Sequence, residues 1–298
     1  MTAVLETNAL SKKYGRRWAL RDCTLTIPEG KVVGLVGPNG AGKTTLLHLA
    51  VGLLAPTSGS VTVLGDRPAE GEAQLAKVGF VAQDTPTYAR LKIADHLRMG
   101  AWLNPRWDQD LAESRIEQLG LDRKQRAGSL SGGQRAQLAL TVAIAKRPEL
   151  LLLDEPVASL DPLARREFLQ SLMEVVAMQG VSVVLSSHLV ADLERVCDYL
   201  IVLVASQVQV AGDVSDLLAS HYRLSGPRRD VDSLPANQEV IEESHTDKQS
   251  TLLIRTDDPI LDPSWTVTPV NLEDVVLAYM GRSRVERPAR RSTLAVVR

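Results

Sequence analysis

The first thirty residues alternate between apolar and polar positions, a pattern typical of β-strands. It predicts strands at residues 4–13 and 18–27, and Pro28-Glu29-Gly30 then predicts a turn. Residues 31–36 form a short apolar strand that leads into a glycine-rich loop. Helical spacing of apolar residues follows at 44–53. The chain therefore begins with strands and changes to helix at the glycine-rich loop.

Beyond this point, strand and helix patterns alternate. The apolar run at 150–153 is too short for a helix and is bounded by charged residues, which predicts a strand buried on both faces. The alternation predicts an α/β sandwich with a largely parallel sheet, interrupted by a helical insertion at about 84–146. The other predicted strands are 61–64, 78–82, 181–186 and 199–204, and the other predicted helices are 91–120, 132–146, 162–178 and 189–196.

The pattern changes near residue 221. Short β-like segments separated by polar loops are followed by an amphipathic helix at 272–280. We therefore predict a main domain at 1–220, a small α+β accessory domain at 221–281, and a basic, flexible tail at 282–298. Residues 281–298 carry six arginines against one glutamate, which is most often a solvated chain end, although contact with anionic lipid or a partner is the alternative.

Composition narrows the class of protein. A chain of 298 residues has room for one large domain and a small appendage. The net charge of −2 gives no general attraction to nucleic acid, so we expect no nucleic-acid partner. Cys23 and Cys197 form neither a disulfide framework nor a metal-ligand spacing. No apolar run is long enough to span a bilayer, and no signal peptide is recognisable, so we expect a cytosolic chain.

The glycine-rich loop, Gly37-Pro38-Asn39-Gly40-Ala41-Gly42-Lys43-Thr44, matches the P-loop pattern after a strand and before a helix. Its glycines let the backbone direct several N–H groups at phosphate oxygens, and the helix start adds its dipole. We expect Lys43 to reach the β and γ phosphates and the Thr44 hydroxyl to bind Mg²⁺. A glycine-rich structural turn is the alternative, but the flanking strand and helix make it a poor one.

A second motif ends the apolar strand in two acids, Asp154 and Glu155. This placement suits Asp154 to the metal ion and Glu155 to an attacking water. A surface pair of acids at a strand end would look the same, but the preceding P-loop favours the catalytic interpretation. Together the two motifs predict a nucleoside-triphosphate hydrolase and leave its class open.

A third motif decides the family. Leu130-Ser131-Gly132-Gly133-Gln134 precedes a predicted helix, where a hydroxyl and glycine N–H groups can bind a second anion. Alone it would be a flexible turn and an N-cap. In order with the other motifs it resembles the signature sequence of the ABC (ATP-binding cassette) family. Tyr14, Gln83, the Ser159-Leu160-Asp161 loop and His188 resemble the family's adenine-stacking aromatic, lid-loop glutamine, dimer-contact loop and switch histidine.

The resemblance covers about residues 1–220. It implies a P-loop NTPase fold with a mixed, largely parallel core sheet, an N-terminal antiparallel β subdomain and a helical insertion. It also implies ATP and Mg²⁺ as cofactors, with Glu155, His188 and Gln83 catalytic and Thr44, Gln83 and Asp154 binding the metal. The nucleotide-binding residues that it implies are Tyr14, Gly37, Pro38, Asn39, Gly40, Ala41, Gly42, Lys43, Thr44, Thr45, Ser131, Gly132, Gly133, Gln134 and Asp161.

In this family two such domains hold two ATP molecules head to tail, each between the P-loop of one copy and the signature of the other. The resemblance therefore implies a second ABC ATPase domain, identical or different, and an integral-membrane permease. It implies a cytoplasmic location, peripheral to the inner face of the cell membrane. The closing helix at 271–280 resembles that of bacterial drug- and antibiotic-export subunits, which favours export.

The main alternative is a non-transport ABC ATPase that acts as a scaffold or assembly component. The identity of a co-purifying protein would distinguish the two functions. A small-molecule kinase or GTPase is disfavoured by the signature and by His188.

Overall fold

The computed structural model describes residues 2–85, 87–228 and 234–285, and the chain divides into two compact units, Met1–Ser215 and Asp216–Arg298. The first unit thus ends at Ser215 rather than at residue 220. Of the predicted tail, residues 286–298 lie outside the described residues. Residues 282–285 are not a free tail, because they continue the last helix, Leu272–Val285.

The N-terminal part of the first unit is a three-stranded antiparallel sheet in the order β2-β1-β4. Its strands are β1 (Ala3–Tyr14), β2 (Arg17–Pro28) and β4 (Ser58–Val63). A tight turn joins β1 to β2 and places Tyr14 opposite Arg17. Gly15 adopts φ +57° in this turn, a backbone conformation that favours glycine.

The main sheet has six strands in the order β5-β6-β7-β3-β8-β9. All neighbours are parallel except β8 and β9, which pair antiparallel at the edge. Every residue of β3, β6 and β7 is buried, which explains why these strands appear as apolar runs in the sequence. The strands are β3 (Val32–Val36), β5 (Val78–Val81), β6 (Leu150–Asp154), β7 (Ser182–Ser187), β8 (Tyr199–Val204) and β9 (Gln207–Asp213).

The helical insertion has its own apolar core, formed by residues such as Ile93, Leu97 and Ile116. Its helices are α3 (Ile93–Leu103), α4 (Gln109–Gln118) and α5 (Gly132–Ala145), with a 3-10 turn at Ala127–Ser129. The other helices of the first unit are α1 (Lys43–Ala50), α2 (Glu72–Lys77), α6 (Pro162–Gln179) and α7 (Val190–Leu193), and α8 (Val214–Ser220) follows them. No helix among the described residues is both long and apolar enough to cross a bilayer.

The second unit is a four-stranded antiparallel sheet in the order β11-β12-β10-β13, followed by helix α9 (Leu272–Val285). Its core includes Leu224, Ile254 and Trp265. A buried hydrogen bond, 3.1 Å between His221 Nε2 and the Tyr279 hydroxyl, ties β10 to α9. The strands are β10 (His221–Pro227), β11 (Glu239–His245), β12 (Gln249–Arg255) and β13 (Thr266–Pro269).

Candidate active site

The P-loop connects the buried end of β3 to the start of α1. At two glycine positions of the loop, neighbouring atoms leave no room for a side chain. A Cβ atom on Gly37 would overlap the carbonyl oxygen of Leu203, and one on Gly42 would overlap that of Ala19. Gly42 also has φ +114°, which residues with a side chain rarely adopt. The loop therefore packs against neighbouring backbone so closely that only glycine fits at these two positions.

Lys43 begins α1, and its side chain folds back over the loop. The ammonium group is buried and donates a 2.8 Å hydrogen bond to the carbonyl oxygen of Gly37. It also lies 3.1 Å from Glu155 Oε1. A buried ammonium needs such partners, because an unpaired charge away from water is costly. Lys43 thus joins the P-loop to the acidic end of β6.

The carboxylate of Glu155 contacts two cationic or polar groups. Oε1 pairs with Lys43, and Oε2 lies 3.0 Å from Nδ1 of His188. Burial raises the pKa of Glu155, but hydrogen bonding and charge from Lys43, together with His188, outweigh it and hold the pKa below its usual value. The carboxylate is therefore ionised at neutral pH. The backbone of Glu155 has φ +45°, a strained conformation that costs about 1–3 kcal/mol.

Asp154 precedes Glu155 at the end of β6 and is buried. Its Oδ1 accepts a 2.8 Å hydrogen bond from the Ser186 hydroxyl. Its Oδ2 is buried and has no hydrogen-bond partner among the described residues. A buried carboxylate oxygen without a donor fits a hard cation, since Mg²⁺ prefers oxygen ligands. Thr44 and Gln83, the other predicted metal ligands, both line the adjacent cavity.

Most of the predicted site residues line one cavity of about 660 Å³. It also contains Arg17, Ala19 and Ala158, which the sequence reasoning missed. Of these three residues, only Arg17 could have been proposed from the sequence, because it lies just after the hairpin turn that follows Tyr14. Gly37, Pro38, Ala41 and Asp154 do not line the cavity. The predicted residues that do are Tyr14, Asn39, Gly40, Gly42, Lys43, Thr44, Thr45, Gln83, Glu155 and His188.

The aromatic residues near the cavity differ in position. Tyr14 is half exposed and lines the cavity. Trp18 is not among the lining residues, and the ammonium of Lys13 lies 4.9 Å from the centre of its ring. Of the two, Tyr14 is the one whose side chain borders the space next to the P-loop.

The signature segment lies elsewhere. Ser131 is exposed and caps α5 in a reciprocal pair: its hydroxyl accepts from the Gln134 N–H (3.2 Å), and the Gln134 side chain accepts from the Ser131 N–H (3.0 Å). Ser131, Gly133 and Gln134 line a second cavity of about 450 Å³ against α6. Asp161 caps α6 by accepting from the Leu163 and Ala164 N–H groups.

None of Ser131, Gly132, Gly133, Gln134 and Asp161 lines the P-loop cavity. The structure thus brings the P-loop, the acidic strand end, Gln83 and His188 together within one chain. It leaves the signature and the Asp161 loop apart from them.

Comparison with known proteins agrees with this arrangement. The sequence profile described as "ABC transporter" matches residues 20–158. The chain is 31% identical over 303 residues to the Nod factor export ATP-binding protein I of Cupriavidus pinatubonensis (strain JMP 134 / LMG 1197), covering 95% of this chain and 92% of the relative. It is 32% identical over 220 residues to the bacitracin transport ATP-binding protein BcrA of Enterococcus faecalis, covering 73% and 71%.

A solved structure of an ATP-binding subunit of an ABC transporter has the same fold. Its TM-score is 0.65 at 29% sequence identity, and the match covers 72% of this chain and 91% of that chain. The predicted fold class, ATP hydrolysis and the ATP and Mg²⁺ requirement are confirmed by these comparisons. The chain belongs to the ATP-binding subunits of the ABC transporter family.

Proposed function

We propose that this chain powers export of a substrate through a separate membrane permease, as one of two ATP-binding domains that hold ATP between them. The observation that carries this proposal is the separation of two anion-binding elements within one chain. The P-loop borders one cavity, while the exposed Ser131 at the start of α5 borders another. A second copy of the chain can bring its Ser131-Gly132-Gly133-Gln134 segment to the P-loop of this one, and a different ABC domain can bring its own signature segment there.

The nucleotide is held mainly through its phosphates. The N–H groups of the P-loop and of the first turn of α1 would bind the phosphates, Lys43 would bind the β and γ groups, and Thr45 would contribute beside Thr44. Asp154, Thr44 and Gln83 would hold Mg²⁺, which would supply positive charge that offsets the triphosphate. The unpartnered Oδ2 of Asp154 supports this assignment.

Hydrolysis is assigned to the groups around Glu155. Its ionised carboxylate is the general base that accepts a proton from the attacking water. Because Oε1 is paired with Lys43, ATP binding should draw the lysine toward the phosphates and release this oxygen. His188 contacts Oε2 through Nδ1. It would also contact the γ-phosphate, while Gln83 would contact the metal ion and the water. In the dimer, Asp161 lies at the contact between the two domains.

Tyr14 is assigned to base stacking. Tyr14→Ala should weaken binding of a fluorescent ATP analogue about tenfold, because stacking of a base on an aromatic ring contributes roughly 1–3 kcal/mol. Tyr14→Phe should bind normally, since it keeps the ring. Trp18→Ala is the matched control and should have little effect. Loss of affinity in Trp18→Ala, but not in Tyr14→Ala, would transfer the stacking role to Trp18.

The permease is proposed to bind the helical insertion at an apolar groove of about 550 Å³. The groove lies between the insertion and the main sheet, and its walls include Leu53, Phe80, Met99 and Val142. Tyr88 also lines it and is 63% exposed, far more than an aromatic needs for packing. Burial of such a large exposed ring against a partner would be favourable.

Tyr88 lines the groove and follows Gln83 by five residues in the sequence. His96 of α3 accepts a 3.0 Å hydrogen bond from the Tyr88 N–H, and its Nδ1 lies 2.8 Å from the Lys92 carbonyl oxygen. The buried imidazole thus holds the backbone of Tyr88 against the insertion. A partner bound in the groove can therefore displace the chain that leads to Gln83.

Charges placed in the groove should uncouple the permease from the ATPase. Leu53→Glu and Tyr88→Glu should leave basal ATP hydrolysis near wild type and remove its stimulation by the co-expressed, reconstituted permease. Met178→Glu is the control, because Met178 is 66% exposed but lies outside the groove. A parallel loss of basal and stimulated activity would contradict the docking role.

The insertion also carries two tryptophans, Trp102 and Trp107, which differ in exposure. Trp107 packs into the core of the insertion, so closely that a Cβ on Gly100 would overlap its ring. Trp102, by contrast, is 78% exposed. Substitution of Trp107 therefore tests stability and not docking.

Export is favoured because the relatives that the chain resembles include proteins named for Nod factor export and bacitracin transport. Docking on a permease would hold the chain at the cytoplasmic face of the membrane. Affinity purification from the native host tests the function as a whole. Recovery of an integral-membrane protein is the expected result, whereas recovery of soluble assembly factors alone would favour the scaffold alternative.

A further inference from the structure

Ser186 lies next to the acidic end of β6. Strands β6 and β7 are parallel neighbours, and their register pairs Asp154 with Ser186. Because side chains alternate along a strand, residues paired across two strands point to the same face of the sheet. The Ser186 hydroxyl is therefore placed beside the Asp154 carboxylate.

This hydroxyl contacts both acids at once. It donates a 2.8 Å hydrogen bond to Oδ1 of Asp154 and accepts a 2.8 Å hydrogen bond from the backbone N–H of Glu155. Ser186 is fully buried, so water does not compete for either bond. A hydroxyl has one proton to donate and lone pairs to accept, and this arrangement uses both capacities.

Each bond has a consequence for the site. With Oδ1 engaged by Ser186, rotation of the Asp154 carboxylate is restricted and the unpartnered Oδ2 remains for the metal. The hydrogen bond from the Glu155 N–H to Ser186 fixes the peptide group between Asp154 and Glu155. The backbone of Glu155 itself has a left-handed φ of +45°. A single side chain thus holds the orientation of the metal ligand and of the general base.

We propose that Ser186 is a positioning residue for the ATPase reaction, acting through Asp154 and Glu155. The proposal rests on the metal-binding and base roles proposed above for those two residues. Ser186 lies outside the segment that the family profile matches, and its sequence context, a serine near the end of an apolar strand, does not distinguish it from a packing residue.

Removal of the hydroxyl should affect metal binding more than nucleotide binding. Residues that orient a metal ligand typically contribute 10–100-fold in metal affinity or activity. We therefore expect Ser186→Ala to weaken Mn²⁺ binding, and to lower turnover, within that range. Binding of a fluorescent ATP analogue in EDTA should be unchanged. Ser186→Thr keeps a hydroxyl and should restore both properties.

Ser182→Ala is a matched control. Ser182 lies on the same strand and the same face, is equally buried, and accepts a 2.8 Å hydrogen bond from the Gly30 N–H, far from either acid. This variant loses a comparable hydroxyl and should show a similar decrease in thermal stability. Its metal affinity and turnover should remain at wild-type values.

The experiment measures Mn²⁺ affinity of the full chain by electron paramagnetic resonance, with a saturating non-hydrolysable ATP analogue. Weakened Mn²⁺ binding in Ser186→Ala, with rescue in Ser186→Thr and none of the effect in Ser182→Ala, supports the positioning role. Mn²⁺ affinity equal to that of Ser182→Ala overturns it, and so does an equal loss of nucleotide binding in EDTA.

Asp154→Asn separates this inference from the proposed function. If Asp154→Asn leaves Mn²⁺ binding intact, the metal-binding role of Asp154 is wrong. If Asp154→Asn abolishes Mn²⁺ binding while Ser186→Ala does not change it, the role of Asp154 stands and the positioning role of Ser186 is wrong.

Discussion

Glu155→Gln should lower ATP turnover about 10²–10⁴-fold while ATP binding remains. This corresponds to about 2.7–5.5 kcal/mol of lost transition-state stabilisation. The wild-type carboxylate is ionised at neutral pH, because Lys43 and His188 keep its pKa low despite burial. Glutamine keeps the shape of the side chain but cannot accept the proton of the attacking water. Steady-state phosphate release and binding of a fluorescent ATP analogue measure the two effects.

The same variant should accumulate an ATP-bound dimer, since ATP held between two domains is no longer hydrolysed. Size-exclusion chromatography with and without ATP and Mg²⁺ would reveal a nucleotide-dependent shift. Glu149→Gln is the control, because Glu149 precedes the same strand but is partly exposed and pairs with Arg106. Wild-type turnover in Glu155→Gln would refute the base assignment, and an oligomer independent of ATP would count against the dimer.

Gly42→Ala should reduce ATP affinity at least ~100-fold, equivalent to about 2.7 kcal/mol. Alanine would be strained at φ +114°, and its Cβ would overlap the Ala19 carbonyl oxygen and crowd the Leu20 side chain. Each of these effects typically costs about 1–3 kcal/mol. Since the loop can relieve them only by moving away from β2, its N–H groups should lose their alignment on the phosphates. Nucleotide titration and thermal unfolding measure the change.

Gly40→Ala is the comparison for this prediction. Gly40 also has a positive φ, +79°, but a Cβ there meets only the end of the flexible Arg17 side chain, at 3.3 Å. We therefore expect a smaller loss, of about 1 kcal/mol. Equal losses of ATP affinity in the two variants would show that the close contact with Ala19 is not the reason why position 42 requires glycine.

The sequence predicted the features that depend on short stretches of chain. The P-loop could be recognised because its glycines, Lys43 and Thr44 lie within eight consecutive residues between a strand and a helix. The strand before Asp154 could be recognised because burial on both faces requires an uninterrupted apolar run. Edge strand β9 (Gln207–Asp213) and helix α2 (Glu72–Lys77) were missed. Both are short: the polar and apolar alternation of β9 covers only residues 207–210, and α2 has six residues, of which three are exposed.

The extent of each element was less predictable than its presence. Helix α7 ends at Leu193, although apolar residues continue the helical pattern to residue 196. Helix α9 continues to Val285, beyond the expected end at residue 280. The site residues could be named from their motifs, whereas their catalytic roles remain predictions for the variants described above.

Only the tertiary structure decided which distant residues meet. The order β6-β7-β3 places Ser186 beside Asp154, and no apolar run specifies which strands become neighbours. The tertiary structure also placed Arg17 beside the P-loop, packed Trp107 against the core of the insertion, and left Ser131 outside the P-loop cavity. Short sequence patterns predict burial and backbone conformation, because the periodicity of a strand or helix is visible within a few residues. Contacts between remote segments depend on the packing of the whole unit, so they cannot be predicted from the sequence of either segment alone.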